Sequence, residues 1–257
     1  MCGRFTQSYT WRDLYELYRL TCQPVNIEPR CNVAPTTMIN VVVPHETGRD
    51  LPTMRWGLIP SWWKKTAKEV PSTFNARAET VATKPMFRTA FKQRRCLIPA
   101  SGYYEWKATL TGKQPYYLSA SDGSVLSFAG LWDEWRDVET GEAVKSCTII
   151  VTDANALTRQ IHDRMPVVIA PEQFEPWLTG VAGTELLKSA PEEMLQMWPV
   201  SRKVNRVGND SDPTLIDLIR YSAYWSWACP GIKGFSIQSY CPSVSRWSRF
   251  ATPRTIL

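Results

Sequence analysis

The feature that most constrains the fold of this chain is a series of short apolar and β-branched segments that do not alternate regularly with helices. Such runs are typical of strands. The predicted strands lie at 38–43, 50–59, 96–106, 115–119, 125–132, 147–152 and 166–169. The turn residues Thr111 and Gly112 predict a hairpin. Because helices do not separate successive strands, we expect an α+β fold on a mostly antiparallel, barrel-like sheet.

A few short helices are predicted at the flanks of this sheet. Thr10 is the predicted N-cap of a helix that carries Trp11, Leu14, Leu17 and Tyr18 on one face. Further short helices are predicted at 84–93, 154–161, 171–178 and 184–189.

The composition of the chain changes near residue 220. After Asp217 the sequence has no acidic residue, while Ser, Trp, Tyr and Pro accumulate without a clear period. We therefore expect one folded domain over residues 2–220 and an atypical, poorly ordered tail over 221–257, whose role stays open.

Several classes of protein do not fit this composition. The seven cysteines form no C-x-x-C pair and only two histidines are present, so we expect no disulfide framework, no metal and no cofactor. Neither a G-x-G-x-x-G nor a G-x-x-x-x-G-K-[ST] motif occurs, which disfavours a nucleotide-dependent metabolic enzyme. Without a recognisable signal peptide or membrane-spanning run, we expect a cytoplasmic protein with no membrane partner.

The chain is moderately basic and rich in tryptophan, with a formal net charge of +6 and 12 Trp. This balance permits a polyanionic partner without requiring one. The run Trp62-Trp63-Lys64-Lys65 combines aromatic faces with positive charge, a pairing suited to stacking bases. Burial of one tryptophan and solvation of the lysines would explain the run equally well.

Cys2 becomes the first residue if Met1 is removed. An N-terminal cysteine carries an α-amine with a pKa of about 8 and a thiol with a pKa of about 8.5 on adjacent carbons. An aldehyde that meets this pair forms an imine with nitrogen and then a five-membered thiazolidine through sulfur. Cysteine occurs by chance at position 2 of many chains, so a function for Cys2 must be inferred together with the remaining residues.

Four segments concentrate polar groups in apolar or turn-like surroundings. They are 2–5, 74–80, 101–106 and 161–166. Taken singly, Asn75 fits a turn cap, Glu105 a solvated strand residue and His162 a helix end.

Taken together, the ordered segments closely resemble the SOS-response-associated peptidase (SRAP) family, also described as abasic-site processing or DNA–protein crosslink-forming proteins. The resemblance runs from Met1 to about Leu218. It rests on the Met-Cys-Gly-Arg-Phe start, Cys31-Asn32-Val33-Ala34-Pro35, Trp56-Gly57-Leu58-Ile59-Pro60, Asn75-Ala76-Arg77, Gly102-Tyr103-Tyr104-Glu105-Trp106, His162-Asp163-Arg164-Met165-Pro166 and Pro199-Val200-Ser201.

The resemblance implies a monomeric DNA-damage response protein whose partner is single-stranded DNA with abasic sites. Cys2 would capture the ring-opened sugar aldehyde and form a covalent thiazolidine that shields the lesion. Glu105 would orient the Cys2 amine and accept its proton, His162 would act as general acid, and Asn75 would hold the attacking group or the sugar. In a bacterial-type cytoplasm the protein would be nucleoid-associated when bound to DNA.

The resemblance also suggests which residues bind the DNA strand. The candidates are Arg4, Trp62, Trp63, Arg77, Lys84 and Arg164. The three arginines each lie beside a proposed reactive residue, as expected for groups that contact flanking phosphates. Pro85 follows Lys84 directly, which leaves the direction of that lysine open.

Two alternative functions stay open from the sequence. A cysteine autopeptidase would cut before Cys2, with Glu105 or His162 assisting. A noncovalent reader of damaged or modified DNA would keep the basic and aromatic surface and make Cys2 dispensable. The reversibility of the crosslink, the preferred DNA junction and the oligomeric state do not follow from the sequence.

Overall fold

A computed structural model describes residues 2–219 of the chain. The expected tail at 221–257 lies outside the described residues. The described strands are β1 (Phe5–Gln7), β2 (Arg30–Val33), β3 (Met38–Asn40), β4 (Val43–His45), β5 (Gly48–Asp50), β6 (Thr53–Trp56), β7 (Asn75–Arg77), β8 (Arg95–Ala100), β9 (Gly102–Thr109), β10 (Gly112–Ala120), β11 (Leu126–Arg136), β12 (Ala143–Asp153), β13 (Arg164–Pro166) and β14 (Leu195–Pro199).

Short helices connect these strands. The α-helices are α1 (Trp11–Tyr18), α2 (Arg88–Gln93), α3 (Ala156–Arg159) and α4 (Phe174–Thr179). The 3-10 helices are Ala67–Glu69, Pro171–Gln173, Thr184–Leu186, Glu192–Met194, Arg202–Asn205 and Pro213–Ile216.

The strands form two large sheets and one two-stranded sheet made of β4 and β5. One large sheet has five strands in the order β14-β10-β9-β1-β2, all antiparallel to their neighbours. The other has β3-β6-β12-β11-β8 as its path, with β7 and β13 paired to β12. Only the pairings of β12 with β6 and with β7 are parallel among the described strands. The fold is therefore α+β with mostly antiparallel sheets, as the sequence predicts.

The two large sheets bury a common core, which we call the inter-sheet core. Its members come from both sheets and include Cys2, Phe5, Val33, Trp56, Ile98, Tyr103, Leu118, Phe128 and Ile149. Because side chains alternate along a strand, Ile150 faces a second core beneath α1, α2 and α4, and Tyr104 faces a third beneath the segment 200–216. The molecule is thus layered, and the N-terminal segment lies at the edge of its central layer.

Local signals place α1 and the β9–β10 hairpin where the sequence predicts them. Thr10 Oγ1 accepts the backbone N–H of Asp13 at 3.2 Å, and Asp13 Oδ2 accepts the Thr10 N–H at 2.7 Å, which completes a capping box. In the hairpin, Gly112 pairs with Thr109, so the turn falls at 110–111.

Most predicted elements differ in their bounds. The run 50–59 holds the end of β5 and all of β6, and the helix predicted at 184–189 is the 3-10 helix Thr184–Leu186. The run 96–106 is two strands, because the chain crosses at Ser101 from the seven-stranded to the five-stranded sheet. The run 38–43 ends as β3 at Asn40, and Val42 instead bridges Leu97. Helix α2 begins at Arg88 rather than at residue 84. The ring of Pro85 disfavours helical geometry at the residue before it, which explains the later start.

Candidate active site

The N-terminal segment enters the molecule as an antiparallel neighbour of β9. Phe5 pairs with Tyr103, and the backbone N–H of Tyr104 donates to Arg4 O at 3.0 Å. The Phe5 ring meets Trp56 edge-on, with ring centroids 5.0 Å apart. These contacts fix the segment that carries Cys2, whose side chain is fully buried in the inter-sheet core.

Glu105 lies on β9, two residues beyond Tyr103 and therefore on the same face of the strand. It is the last fully buried position before β9 emerges, since Trp106 is partly exposed and Lys107 is exposed. Burial raises the pKa of Glu105, and the positive charge of His162 opposes this shift. The carboxyl group is thus a buried base whose pKa is closer to neutrality than that of an ordinary glutamate.

The Cys2 thiol is held in its protonated form. Burial raises its pKa, and the negative charge of Glu105 raises it further. Since Thr6 pairs with Gly102 and Phe5 with Tyr103, the same antiparallel register continued toward the N-terminus runs the segment that carries Cys2 alongside Glu105. Cys2 therefore differs from an activated peptidase thiolate, whose pKa is lowered by nearby positive charge.

His162 lies between α3 and β13, where two groups compete for one ring nitrogen. The backbone N–H of Arg164 donates to His162 Nδ1 at 3.0 Å, and Asp163 Oδ1 lies 2.8 Å from the same atom. The protonated ring donates to Asp163. The proton of the neutral ring can lie on Nδ1, where it is donated to Asp163, or on Nε2, where Nδ1 accepts from Arg164.

Arg4, Glu105 and His162 line one open cavity of about 430 Å³. The other lining residues are Trp106, Lys113 and Asn205. The sequence interpretation missed Lys113 and Asn205, because a hairpin signal gives strand pairing but not which residues border a cleft. Trp106 was part of a recognised motif, and its Nε1 donates to Asn205 Oδ1 at 2.8 Å.

The guanidinium of Arg4 already makes hydrogen bonds within the protein. Its Nη1 donates to Asn32 Oδ1 at 2.9 Å and to Val204 O at 3.0 Å. The Asn32 amide in turn donates to Val204 O, Arg206 O and Asn209 Oδ1. Arg4 therefore borders the cavity and also ties the N-terminal segment to the segment 204–209.

Asn75 and Arg77 lie on β7, whose side chains can be placed by register. Asn75 pairs with Ile149 and Arg77 with Val151, both members of the inter-sheet core. Because paired residues share a face of the sheet, Asn75 and Arg77 lie on its inner side. Asn75 Nδ2 donates to Phe74 O at 3.0 Å, and its Oδ1 is buried with no hydrogen-bond partner among the described residues. Arg77 is exposed.

Arg164 and Lys84 have different surroundings. Arg164 forms ion pairs with Glu79 and, at 3.2 Å, with Asp153, so a phosphate would compete with two carboxylates for its guanidinium. Lys84 is exposed in the turn before α2, where its carbonyl oxygen accepts the N–H groups of Phe87 and Arg88.

Trp62 and Trp63 lie on the loop between β6 and β7 and have unequal roles. Trp62 is 45% exposed. Trp63 is held by two bonds: its Nε1 donates to Thr66 O at 3.1 Å, and its carbonyl oxygen accepts Trp135 Nε1 at 2.8 Å. This anchoring fixes the loop against β11 and leaves Trp62 as the residue available for stacking.

The two packed sheets, with Cys2 buried between them and Glu105 buried on β9 beside the open cavity, define an α+β protein with a candidate site around Cys2. The chain belongs to the family described as SOS response associated peptidase (SRAP), whose model matches residues 1–207.

Named relatives and a solved structure agree with this assignment. The chain is 36% identical over 226 residues to abasic site processing protein YoqW of Bacillus subtilis, covering 84% of this chain and 99% of the relative. It is 33% identical to abasic site processing protein YedK of Escherichia coli, covering 81% and 96%. A crystal structure of a Bacteroides thetaiotaomicron protein matches with a TM-score of 0.77 at 28% identity, covering 85% of this chain and 100% of that one.

Residues 2–219 lack two kinds of feature. That part of the chain holds no group of three or more His, Cys, Asp or Glu side chains placed to bind a metal ion. None of its helices combines the length and apolar character needed to cross a membrane.

Proposed function

We propose that this protein processes abasic sites in single-stranded DNA by forming a covalent thiazolidine through Cys2 after removal of Met1. The names of the relatives support the substrate class. The observation that carries the chemistry is the burial of Cys2 beside Glu105, a carboxyl group whose raised pKa suits it to accept a proton from an amine near neutral pH.

The proposed reaction conserves atoms and electrons. The α-amine of Cys2 attacks the C1′ aldehyde of the ring-opened sugar, and a C–N bond forms. The carbonyl oxygen leaves as water, which gives an imine. The thiol sulfur then adds to C1′ while its proton passes to nitrogen, so that a C–S bond closes the ring. The net change is aldehyde plus aminothiol to thiazolidine plus water, and nothing is oxidised or reduced.

Each neighbouring group has a role that fits its geometry. Glu105 accepts the proton that the attacking amine releases. His162 supplies an acid through its Nε2–H, which helps to open the sugar ring and to protonate the departing oxygen. Asn75 offers a buried acceptor, Oδ1, to a hydroxyl of the sugar or to the amine.

The state of the Cys2 thiol favours the amine as the first nucleophile. A thiol with a raised pKa is a poor attacking group until an imine is present to receive its proton. The autopeptidase alternative needs the opposite condition, a thiolate at neutral pH. The geometry therefore supports crosslinking better than peptide cleavage.

We further propose that positive and aromatic side chains around the site hold the DNA strand. These are Arg4, Trp62, Trp63, Arg77, Lys84 and Arg164. Arginine contacts to phosphate position a strand without reading its sequence, and tryptophan stacks any base.

The decisive experiment incubates the protein with single-stranded and duplex oligonucleotides that contain an abasic site and resolves the products on a denaturing gel. Cys2→Ala is expected to abolish the shifted band. Cys22→Ala is a matched control, because it removes a thiol that is not part of the proposed site and should leave the band intact. An undiminished band with Cys2→Ala overturns the proposal. Borohydride trapping of an imine excludes the noncovalent reader.

Intact mass distinguishes the two routes to a free Cys2 amine. Loss of Met1 from both the wild type and Cys2→Ala indicates a housekeeping aminopeptidase, which accepts alanine at the second position. Loss from the wild type alone indicates autocatalysis. Retention of Met1 on fully active protein contradicts the amine chemistry.

A further inference from the structure

A second cavity lies where β6 ends and β7 begins. Both strands pair with the same edge of β12, β6 at residues 146–147 and β7 at 149–151. The loop that carries Trp62 leaves the sheet at Gly57 and returns through 70–74. Both ends of this loop line a cavity of about 270 Å³. The cavity therefore lies at the base of the aromatic loop and one residue from Asn75.

The charged group in this cavity is the guanidinium of Arg55. The side chain is half-buried, and its Nη1 donates to Gly57 O at 2.5 Å. No carboxylate among the described residues forms an ion pair with Arg55, whereas Arg49, Arg94 and Arg164 each have one. A guanidinium has five N–H donors, so most of those of Arg55 are available to a ligand.

The backbone around Arg55 is shaped to leave room for this guanidinium. Gly57 has a φ of +131°, and a Cβ there would lie 2.8 Å from Arg55 Nη1. Thr36, which lines the same cavity, has a φ of +72°, an unfavourable value for a β-branched residue. Its strained geometry is held by a hydrogen bond from its N–H to Trp56 O at 2.7 Å. Such strain is frequent at ligand sites.

The other polar groups of the cavity are hydroxyls. Thr36, Ser72 and Thr73 line it together with Arg55. Hydroxyl donors and a guanidinium fork, without a carboxylate, match the tetrahedral oxyanion of a phosphate group.

One carbonyl oxygen links this cavity to the proposed reaction site. Phe74 O accepts Trp56 Nε1 at 2.8 Å and Asn75 Nδ2 at 3.0 Å. Trp56 and Phe74 line the cavity, and Asn75 is the residue proposed to hold the sugar. The lining of the cavity and Asn75 are therefore joined through one shared hydrogen-bond acceptor.

We propose that the Arg55 cavity is a phosphate subsite that binds one phosphodiester of the DNA strand beside the lesion. This inference rests on the proposed function, because it assigns a second contact to the same substrate. Arg55 is a binding residue here and takes no part in the bond-forming steps.

The test measures noncovalent binding to a single strand that carries a tetrahydrofuran, an abasic analogue without an aldehyde. Fluorescence anisotropy over a salt series should show that Arg55→Gln weakens binding several-fold. The slope of log K against log salt should fall by about 0.7, the contribution of one phosphate contact in single-stranded DNA. Arg12→Gln is the control, since Arg12 is exposed on α1 and pairs only with Glu16; its slope should equal that of the wild type.

A methylphosphonate scan locates the contact. Neutral methylphosphonates are placed one at a time beside the tetrahydrofuran. One position should weaken the wild type but leave Arg55→Gln unaffected. Equal penalties for both proteins at every position overturn the subsite. Arg55→Lys, which keeps the charge and loses the fork, should give intermediate affinity and serves as the second variant if Arg55→Gln does not fold.

Crosslinking to a true abasic site separates this inference from the proposed function. Arg55→Gln should reach the wild-type rate constant at saturating DNA, with a higher half-saturating concentration. A wild type that forms no crosslink contradicts the proposed function. A wild type that crosslinks while Arg55→Gln keeps normal affinity contradicts the subsite alone.

Discussion

At the scale of single residues, the conflict between stability and chemistry is concentrated at Glu105. Burial of a carboxylate is costly, and the raised pKa of Glu105 records that cost. The folded state therefore holds the Glu105 proton more tightly than the unfolded chain, where glutamate titrates near pH ~4.3. Between these two pKa values stability falls as pH rises, and above both the full cost is present.

Glu105→Gln should consequently raise the stability of the protein at neutral pH. The variant removes a buried charge and keeps the size of the side chain, so its Tm should exceed that of the wild type at pH 7. A gain of 1 kcal/mol corresponds to about 2–4 °C for a chain of this length. The difference should vanish below pH ~4, where the wild-type carboxyl is protonated in both states. Thermal unfolding followed by circular dichroism from about pH 3 to about pH 8 measures this.

The same variant should lose crosslinking by a factor of about 10²–10⁴, the usual range for a general base. Gln114→Glu serves as a control for charge change on the neighbouring strand, because Gln114 is only partly buried. A Glu105→Gln protein that is less stable at pH 7 would mean that the carboxylate stabilises the fold on balance.

Residue roles could be predicted only in part. Cys2 is conspicuous from its position alone, but Glu105 lies on β9 and His162 in the connection between α3 and β13, and no spacing in the sequence brings them together. The resemblance to a family supplied that link. Arg164 reads as a free cation in its own motif; its partner Glu79 lies 85 residues away in the chain, which no local pattern reveals.

At the scale of elements, the position of the N-terminal segment depends on Asn32. This residue, on β2, is 1% exposed. Its Oδ1 accepts from Arg4, and its Nδ2 donates to three acceptors in 204–209. One amide thus connects the segment that carries Cys2 to the segment that covers the outer face of the five-stranded sheet.

Asn32→Asp should destabilise the protein by at least about 2 kcal/mol. The substitution keeps the acceptor for Arg4 and replaces a buried donor by an oxygen that faces carbonyl groups, and each unsatisfied buried group costs about 1–3 kcal/mol. Urea unfolding measures the change. Asn26→Asp, at an exposed position, is the matched control. Equal unfolding midpoints for the two variants would contradict the role assigned to Asn32.

Elements were predictable where a local signal existed. The capping box at Thr10 and the hairpin turn at 110–111 each depend on neighbouring residues. The switch of sheets at Ser101 was not predicted, because buried residues flank the Ser101-Gly102 dipeptide on both sides and outweigh its weak turn signal. The switch depends on a tertiary contact between β9 and β10. A Cβ on Gly102 would lie 2.5 Å from Leu118 O on β10, so only glycine lets the two strands approach this closely.

At the scale of the whole molecule, the proposed site at Cys2 is surrounded by positively charged side chains rather than by groups that read bases. The proposed contacts are arginines and a lysine for phosphates and Trp62 for stacking, none of which distinguishes one base from another. Specificity then comes from the aldehyde, while affinity comes from the release of counterions. Removing the aldehyde therefore tests the specificity, and changing the salt concentration tests the affinity.

Noncovalent affinity should therefore fall steeply with salt and vary little with base sequence. Each phosphate contact contributes about −0.7 to the slope of log K against log salt for a single strand. One contact from each of Arg4, Arg55, Arg77, Lys84 and Arg164 predicts a loss of about a hundredfold in affinity between about 50 and 200 mM salt. Anisotropy with tetrahydrofuran oligonucleotides of several base compositions measures both effects. A tenfold preference for one flanking sequence that persists at high salt would require base-reading groups, and would contradict the proposal that the DNA contacts are independent of sequence.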